Sequence, residues 1–574
     1  MVTWSDVLLW RAAHIETVQD DASAARKAAR EQVQELEAHY SRIASQGLAI
    51  DAMRQALSRV QDELDHAVNA ISAYMLACAE AIDGVRVVEA KVRSALEISE
   101  EIGCTIYDDG SVSIPYIDLS DAVRYGKADV LLGKSNELHM CIADALSVAR
   151  KVDEELRRKL QELAEDRFEQ NGPKEGRHSA SPGLPDDADE SWSPSEVSAW
   201  WGALTDEERQ ACIERDPLKY GNLDGIDMAS RDKANRMALY GYDTGGNASI
   251  RLGSTGLLQQ AQDKFDQAQA AYDDCVGAHG EDSDEAKVLK ADRDHAERDL
   301  ADLQKIDERL RNGAGKGGEP VSLLALDTSG EQVKAAVAVG DVDHAQHVAN
   351  FTPGMGTNVR DSLDNYVDVA DRMRTNAADQ AEVRPSDVAV VAWLNYDAPT
   401  DVTKTFDPSV ASTEKAHAGA DRLAGFLTGV RSWRDEQGGS LHLTSVSHSY
   451  GSTTAGFAMR QVGEGVVDDH IYLGSPGSAA YTVGALGVDP SHVWVSAVPE
   501  GDMVQGMGPD VTFGRNPEQL EGIQHLSGDA TGAQGYDPQP SSPVANHSSY
   551  FAPPKPGERN KVFDDICSVV VGVK

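Results

Sequence analysis

Residues 443–456 read "LTSVSHSYGSTTAG", a run of apolar and small residues that stops at Ser449 and passes straight into turn-compatible residues. A serine oxygen becomes a nucleophile when a turn lifts it clear of the backbone, a base takes its proton and donors stand where negative charge develops. "S-H-S-Y-G" (447–451) fits that need as a variant of the G-x-S-x-G nucleophile elbow, with Ser447 in place of the first glycine. The elbow would present Ser449 at the end of a buried strand. The N–H of Tyr450 and the N-terminus of the following helix would face the developing oxyanion.

An acid and a base follow in that order along the chain. Asp502, in "HVWVSAVPEGDMV", follows a strand directly and sits in a Pro/Gly loop, where open parallel sheets place their ligands. Asp489, Asp510 and Asp529 are alternatives in poorer settings. His547, in "PVANHSSYFAPP", lies beyond the acid near the end of the fold, which favours it over His525 in "GIQHLSGD". The second oxyanion donor is expected from "TPGMGTN" (352–358), as the N–H of Met355 or Gly356. G-x-G there also hints at phosphate binding, but Val359 stands where a third glycine would be needed. The chemistry implied is hydrolysis of an ester or amide by a Ser449, Asp502, His547 triad through an acyl-enzyme, with no cofactor and no metal.

These side chains need a sheet to gather them. From Val321 onward, apolar strands alternate with glycine loops and amphipathic helices: 321–327, 335–340, 347–354, 388–397, 441–448, 469–477 and 492–498, with helices at 358–375 and 413–434. Continuous apolar strands between helices predict an α/β class, a mostly parallel sheet flanked by helices. Upstream lies a long all-α region. Residues 1–170 read as a helical hairpin or bundle with a small β-hairpin around Asp109-Gly110, and Gly47 reads as a helix C-cap. Residues 171–194 form a Pro/Gly/Ser/Asp-rich linker, 195–255 a helical lead-in, 256–312 an exposed charged helical hairpin, and 320–574 the catalytic domain.

The chain has 574 residues, 94 acidic against 53 basic, for a net charge of -41. That balance argues against nucleic acid and anionic membrane surfaces as partners. Six cysteines contain no C-x-x-C pair and read as small apolar residues. No signal peptide and no membrane-spanning run are read, so the chain is expected to be cytoplasmic as synthesised.

The segments "GNLDGIDMASRDKANR" (221–236), "FTPGMGT" (351–357), "VVAWLNYDAP" (390–399), "SHSYGSTTAG" (447–456), "YLGSPG" (472–477), "PEGDMV" (499–504) and "NHSSYF" (546–551) together resemble an actinobacterial alpha/beta-hydrolase family of unknown function. That family usually has glycine where Ser447 and Asn395 stand. The resemblance implies the alpha/beta-hydrolase fold and the Ser449, Asp502, His547 assignment, and brings no substrate with it. The N-terminal helices are loosely similar to WXG-type substrates of type VII secretion, although "SQG" stands at the W-x-G turn and Y-x-x-x-D occurs twice, at Tyr125–Asp129 and Tyr220–Asp224. The expected partner is a small-molecule or lipid-like ester or amide. The rival reading is a non-catalytic binding or type VII secretion-associated protein that keeps the hydrolase fold, with a secretion partner on the N-terminal helices and export by that route.

Overall fold

The computed structural model describes residues 2–41, 47–113, 128–165, 187–189, 191–241, 255–315, 317–400 and 412–574. A small hairpin joins β1 (Thr105–Ile106) to β2 (Val112–Ser113). The main sheet contains β3 (Val321–Asp327), β4 (Lys334–Val339), β5 (His347–Thr352), β6 (Val388–Leu394), β7 (His442–His448), β8 (Asp469–Leu473), β9 (Val493–Ser496) and β10 (Gln524–His525). Their spatial order is β10-β9-β8-β7-β5-β6-β4-β3.

Pairs from β6 through β5, β7, β8 and β9 to β10 are parallel, and β3–β4 and β4–β6 are antiparallel. The sheet is therefore mostly parallel, as expected. The antiparallel start follows from length: the link from Asp327 to Lys334 is too short for a crossover helix. β4 and β6 are buried at every position, which is why they read as continuous apolar runs. One face packs against helices Val359–Ala381 and Lys561–Val570, the other against Glu414–Glu436 and Tyr450–Met459.

The lead-in helices seal the outer edge of β3. Helices Pro194–Ala203 and Asp206–Arg215 begin with capping boxes, Ser193 with Glu196 and Thr205 with Glu208. Beyond them, Asn222 exchanges two hydrogen bonds with the Leu326 backbone (2.9 and 3.1 Å). Arg231 Nε donates to the Leu324 carbonyl (2.7 Å), Asn235 Nδ2 to that of Leu323 (3.0 Å), and the Leu323 N–H donates to Asp232 (2.6 Å). The "GNLDGIDMASRDKANR" segment thus supplies side chains where another strand would otherwise pair.

Helices Ala12–Ser41, Leu48–Ile102 and Ala128–Ala164 form the N-terminal region. Val88, Ala95 and Ile98 pack against Leu138, Ile142 and Ala145. Gly47 is the N-cap of the second helix (φ 129°), not a C-cap; residues 42–46 lie outside the described residues. The same holds for Tyr125 and for most of the expected linker. Glu137, almost fully buried, ties this region to the sheet domain. It accepts from Arg460 Nη1 (3.2 Å), the Tyr481 N–H (3.2 Å) and Thr482 Oγ1 (3.0 Å). The charged hairpin, Leu257–His279 and Asp284–Asn312, is less exposed than expected. Leu303 and Ile306 join the main core, and Arg309 pairs with Asp364 and Asp368. Among the described residues, no helix is long and apolar enough to cross a membrane.

His442 pins the last helix to the amino end of the sheet. Its Nδ1 faces the Val570 carbonyl (3.0 Å) and its Nε2 faces Asp469 Oδ2 (2.8 Å). Both partners are acceptors, an arrangement that favours the doubly protonated ring. Burial lowers its pKa, but the Asp469 bond and charge, the Val570 carbonyl and Asp468 outweigh burial and raise it. His347 and His492 are the neighbouring titratable groups. A raised folded-state pKa stabilises fully below the unfolded value of about 6.5 and loses its contribution as pH climbs through the folded value. Denaturant unfolding between pH 6 and 9 is expected to show stability falling as pH rises, and His442→Gln is expected to flatten that slope.

Candidate active site

β7 delivers Ser449 into a left-handed backbone conformation (φ 58°, ψ -136°), and helix Tyr450–Met459 starts at the next residue. A non-glycine residue there costs about 1–3 kcal/mol and persists only where its surroundings hold it. The Ser449 N–H donates to the Leu473 carbonyl at the end of β8 (3.0 Å). The loop after β5 runs against the turn, backbone to backbone. A Cβ on Gly354 would lie 2.4 Å from Ser449 Cβ, and one on Gly451 would lie 2.2 Å from the Pro353 carbonyl oxygen. Tyr396 Oη donates to that same oxygen (2.7 Å).

Tyr450 is the first residue of the helix, so its N–H stands at the helix N-terminus. Of the two amides expected to complete an oxyanion site, that of Gly356 is engaged elsewhere: its N–H donates to the Pro399 carbonyl (2.7 Å). Met355 remains the candidate on that loop. The sequence reading missed this because the Pro399 carbonyl arrives from the far end of the loop after β6.

Asp502 and His547 meet. His547 Nδ1 lies 2.8 Å from Asp502 Oδ1, and Tyr550 Oη donates to Asp502 Oδ2 (2.6 Å). The Val504 N–H also donates to Oδ1 (3.2 Å), and the Val498 N–H donates to Tyr550 Oη (3.1 Å). Burial pushes the Asp502 carboxyl up, but the His547 and Tyr550 bonds and the neighbouring histidines outweigh it and hold the pKa below the usual value. Gly474, at the end of β8, underlies the pair: its missing Cβ would fall 2.7 Å from Asp502 Oδ2 and 3.0 Å from His547 Cε1.

His547 Nε2 is buried and has no hydrogen-bond partner, so the ring carries an unused nitrogen and no bond joins it to Ser449 in this rotamer. His448, the residue before Ser449, packs against that ring. The two imidazole centroids lie 4.5 Å apart with the ring planes tilted by 33°, and His448 Nε2 donates to the His547 carbonyl (2.8 Å). Burial, then the neighbouring His547, pushes the His448 pKa down to about 3, so this ring stays neutral.

The alternative residues lie elsewhere. Asp489 caps a turn on Ser491, Asp510 begins a short helix, Asp529 pairs with Lys561 (2.7 Å), and His525 is exposed in β10. Where glycine was expected, Ser447 donates to the Ile471 carbonyl (2.8 Å) and Asn395 accepts twice from Arg422, through its carbonyl (2.9 Å) and its side-chain oxygen (2.8 Å). Both departures are absorbed by local hydrogen bonds. Tyr550 and His448 were not singled out as functional, although both fall inside the quoted motifs.

Comparison with known proteins places the chain in a family. Residues 328–512 match the family model described as alpha/beta hydrolase, a span that ends before His547. The uncharacterized protein Rv2079 of Mycobacterium tuberculosis is 32% identical over 309 residues, 53% of this chain and 42% of that protein. The uncharacterized protein Mb0988c of Mycobacterium bovis is 32% identical over 235 residues, 40% of this chain and 83% of that protein. The chain belongs to this alpha/beta-hydrolase family. It spans less than half the length of the first curated relatives it matches. No solved structure matches it at a significant level.

The close backbone approach makes Gly451 sensitive to a single added methyl. Gly451→Ala is expected to lower stability by about 1–3 kcal/mol through overpacking against the Pro353 carbonyl. Thermal unfolding beside the parent protein checks this.

Proposed function

We propose that the chain is a serine hydrolase that cleaves an ester or amide through an acyl-enzyme. The observation that carries the reading is the Asp502–His547 bond of 2.8 Å, with the second imidazole nitrogen unpartnered, at the sheet edge where Ser449 stands in its strained turn. A neutral His547 whose Nδ1–H is fixed on Asp502 has a lone pair at Nε2, the form a general base needs. In this reading the Ser449 hydroxyl gives up its proton to that nitrogen.

In the reaction, the Ser449 oxygen bonds to the carbonyl carbon as its proton passes to His547 Nε2. The carbonyl electron pair moves onto oxygen, which the N–H groups of Tyr450 and Met355 receive. Collapse of the tetrahedral species breaks the bond to the alcohol or amine, and that group leaves with the proton from His547. Water then repeats the sequence: its oxygen bonds to the acyl carbon as His547 takes its proton, the acyl–Ser449 bond breaks with that proton passing to the Ser449 oxygen, and the acid departs. Asp502 stays ionised throughout and stabilises the imidazolium. Its hydrogen bond from Tyr550 keeps one oxygen occupied and the other aimed at Nδ1.

A fluorophosphonate probe is expected to label the full chain at one site, and Ser449→Ala is expected to abolish labelling and lower esterase kcat by about 10⁴-fold or more. Labelling that survives Ser449→Ala, or none in the parent, supports the non-catalytic reading instead. Tyr550→Phe keeps the ring and removes one hydrogen bond to the acid. Its kcat is expected to drop about fivefold, the worth of a bond near 1 kcal/mol, with labelling retained and KM unchanged in steady-state assays.

A further inference from the structure

We propose that the loops carrying Asp502 and His547 form an apolar rim that binds the acyl chain of an uncharged ester; the inference rests on the hydrolase reading above. The residue after the acid is Met503, 63% exposed, and Val544, 46% exposed, lies three residues before the base. The Met503 N–H donates to the Pro543 carbonyl (2.9 Å), which ties the two loops together beside the Asp502–His547 pair. From there the chain runs along the end of β8: the Gly506 N–H donates to the Ser475 carbonyl (2.7 Å) and that of Gly508 to the Pro476 carbonyl (2.9 Å). This stretch exposes Met507 at 66%. The short helix Asp510–Phe513 follows, packed on Ala479 through the Phe513 carbonyl (2.7 Å), and exposes Val511 at 91%.

Charge makes the pattern specific. A quarter of the chain is charged, yet residues 503–509 and 538–546 contain no charged side chain. Both stretches border the proposed catalytic pair, and both would ordinarily be solvated loops. Two exposed methionines in such a setting give a polarizable, adaptable contact for an alkyl chain. Glu500, Asp510 and Asp537 bracket the rim, and they repel a substrate with an anionic head. The class that fits is a neutral carboxylic ester with a medium or long unbranched acyl chain.

Two measurements on the full chain test the rim. The first is kcat/KM for p-nitrophenyl esters from acetyl to decanoyl. The wild type is expected to prefer decanoyl over acetyl by about tenfold or more, since each buried methylene favours binding. The Met503→Asp/Met507→Asp variant is expected to lose about tenfold of that ratio, while Leu9→Asp, at an equally exposed apolar position on the N-terminal region, keeps it. A flat chain-length profile in the wild type, or an unchanged ratio in the double variant, overturns the proposal. The second is calorimetric titration of Ser449→Ala with monomeric dodecyl maltoside, which needs no turnover. Binding that disappears with Met503→Asp/Met507→Asp supports the rim; no binding overturns it. A concentration-dependent dimer that the double variant abolishes also overturns it, because a second copy of the chain would then cover these side chains. Alkyl binding without ester turnover or fluorophosphonate labelling sinks the hydrolase reading and leaves the apolar surface standing.

Discussion

The backbone contact between the Ser449 turn and the Pro353–Gly354 stretch is the constraint from which the rest of the site follows. β5 and β7 are parallel neighbours in register, Thr352 opposite Ser447, so their carboxyl ends open side by side. One carries the loop with the Met355 amide, the other the turn at Ser449. β8 and β9 continue the row, and their ends deliver Gly474 and the segment leading to Asp502. A left-handed serine is unfavourable alone. It is sustained because β8 accepts its N–H and because two residues without side chains let the loop and the helix close on it. The site is a property of four adjacent strand ends more than of any single motif.

Electrostatics then divides four buried polar groups between two states. Asp502 loses solvation, but the bond and charge of His547, the Tyr550 bond and the charge of His448 outweigh burial and hold its pKa below the usual value. Tyr550 responds in the opposite sense. Burial and the adjacent carboxylate push its hydroxyl well above the usual range, so it remains a donor. His448 gains only one carbonyl bond, too little to hold a proton against burial. At the other end of the sheet, His442 has a carboxylate within reach, and its pKa is raised instead. The number and sign of the partners, not burial alone, decide which histidine is charged.

Much of this was legible in the sequence, for local reasons. The parallel sheet showed in continuous apolar runs, and the elbow in a strand followed at once by small residues. Asp502 was marked by the strand end before it, and the structure sets His547 against it. What could not be read depends on partners distant in the chain. The Gly356 amide is claimed by Pro399, and the Asp502 carboxylate by a tyrosine 48 positions later. The charged hairpin looked solvated throughout because its docking residues, Leu303, Ile306 and Arg309, are few among many exposed ones. Gly47 was placed at the wrong end of a helix, since a glycine at such a break serves either neighbour. β10, two residues long, carries too little periodicity to be seen.

The side chains laid along β3 also bear on how copies of the molecule meet. A sheet that ends in open amides and carbonyls is a template for a further strand, from a second copy or from a misfolded chain. Here one border is stoppered by Asn222, Arg231, Asp232 and Asn235, and the opposite border tapers to the two residues of β10. The ladder therefore offers no purchase for growth in either direction. At the β3 border of the main sheet, strand addition is blocked while the lead-in segment stays seated.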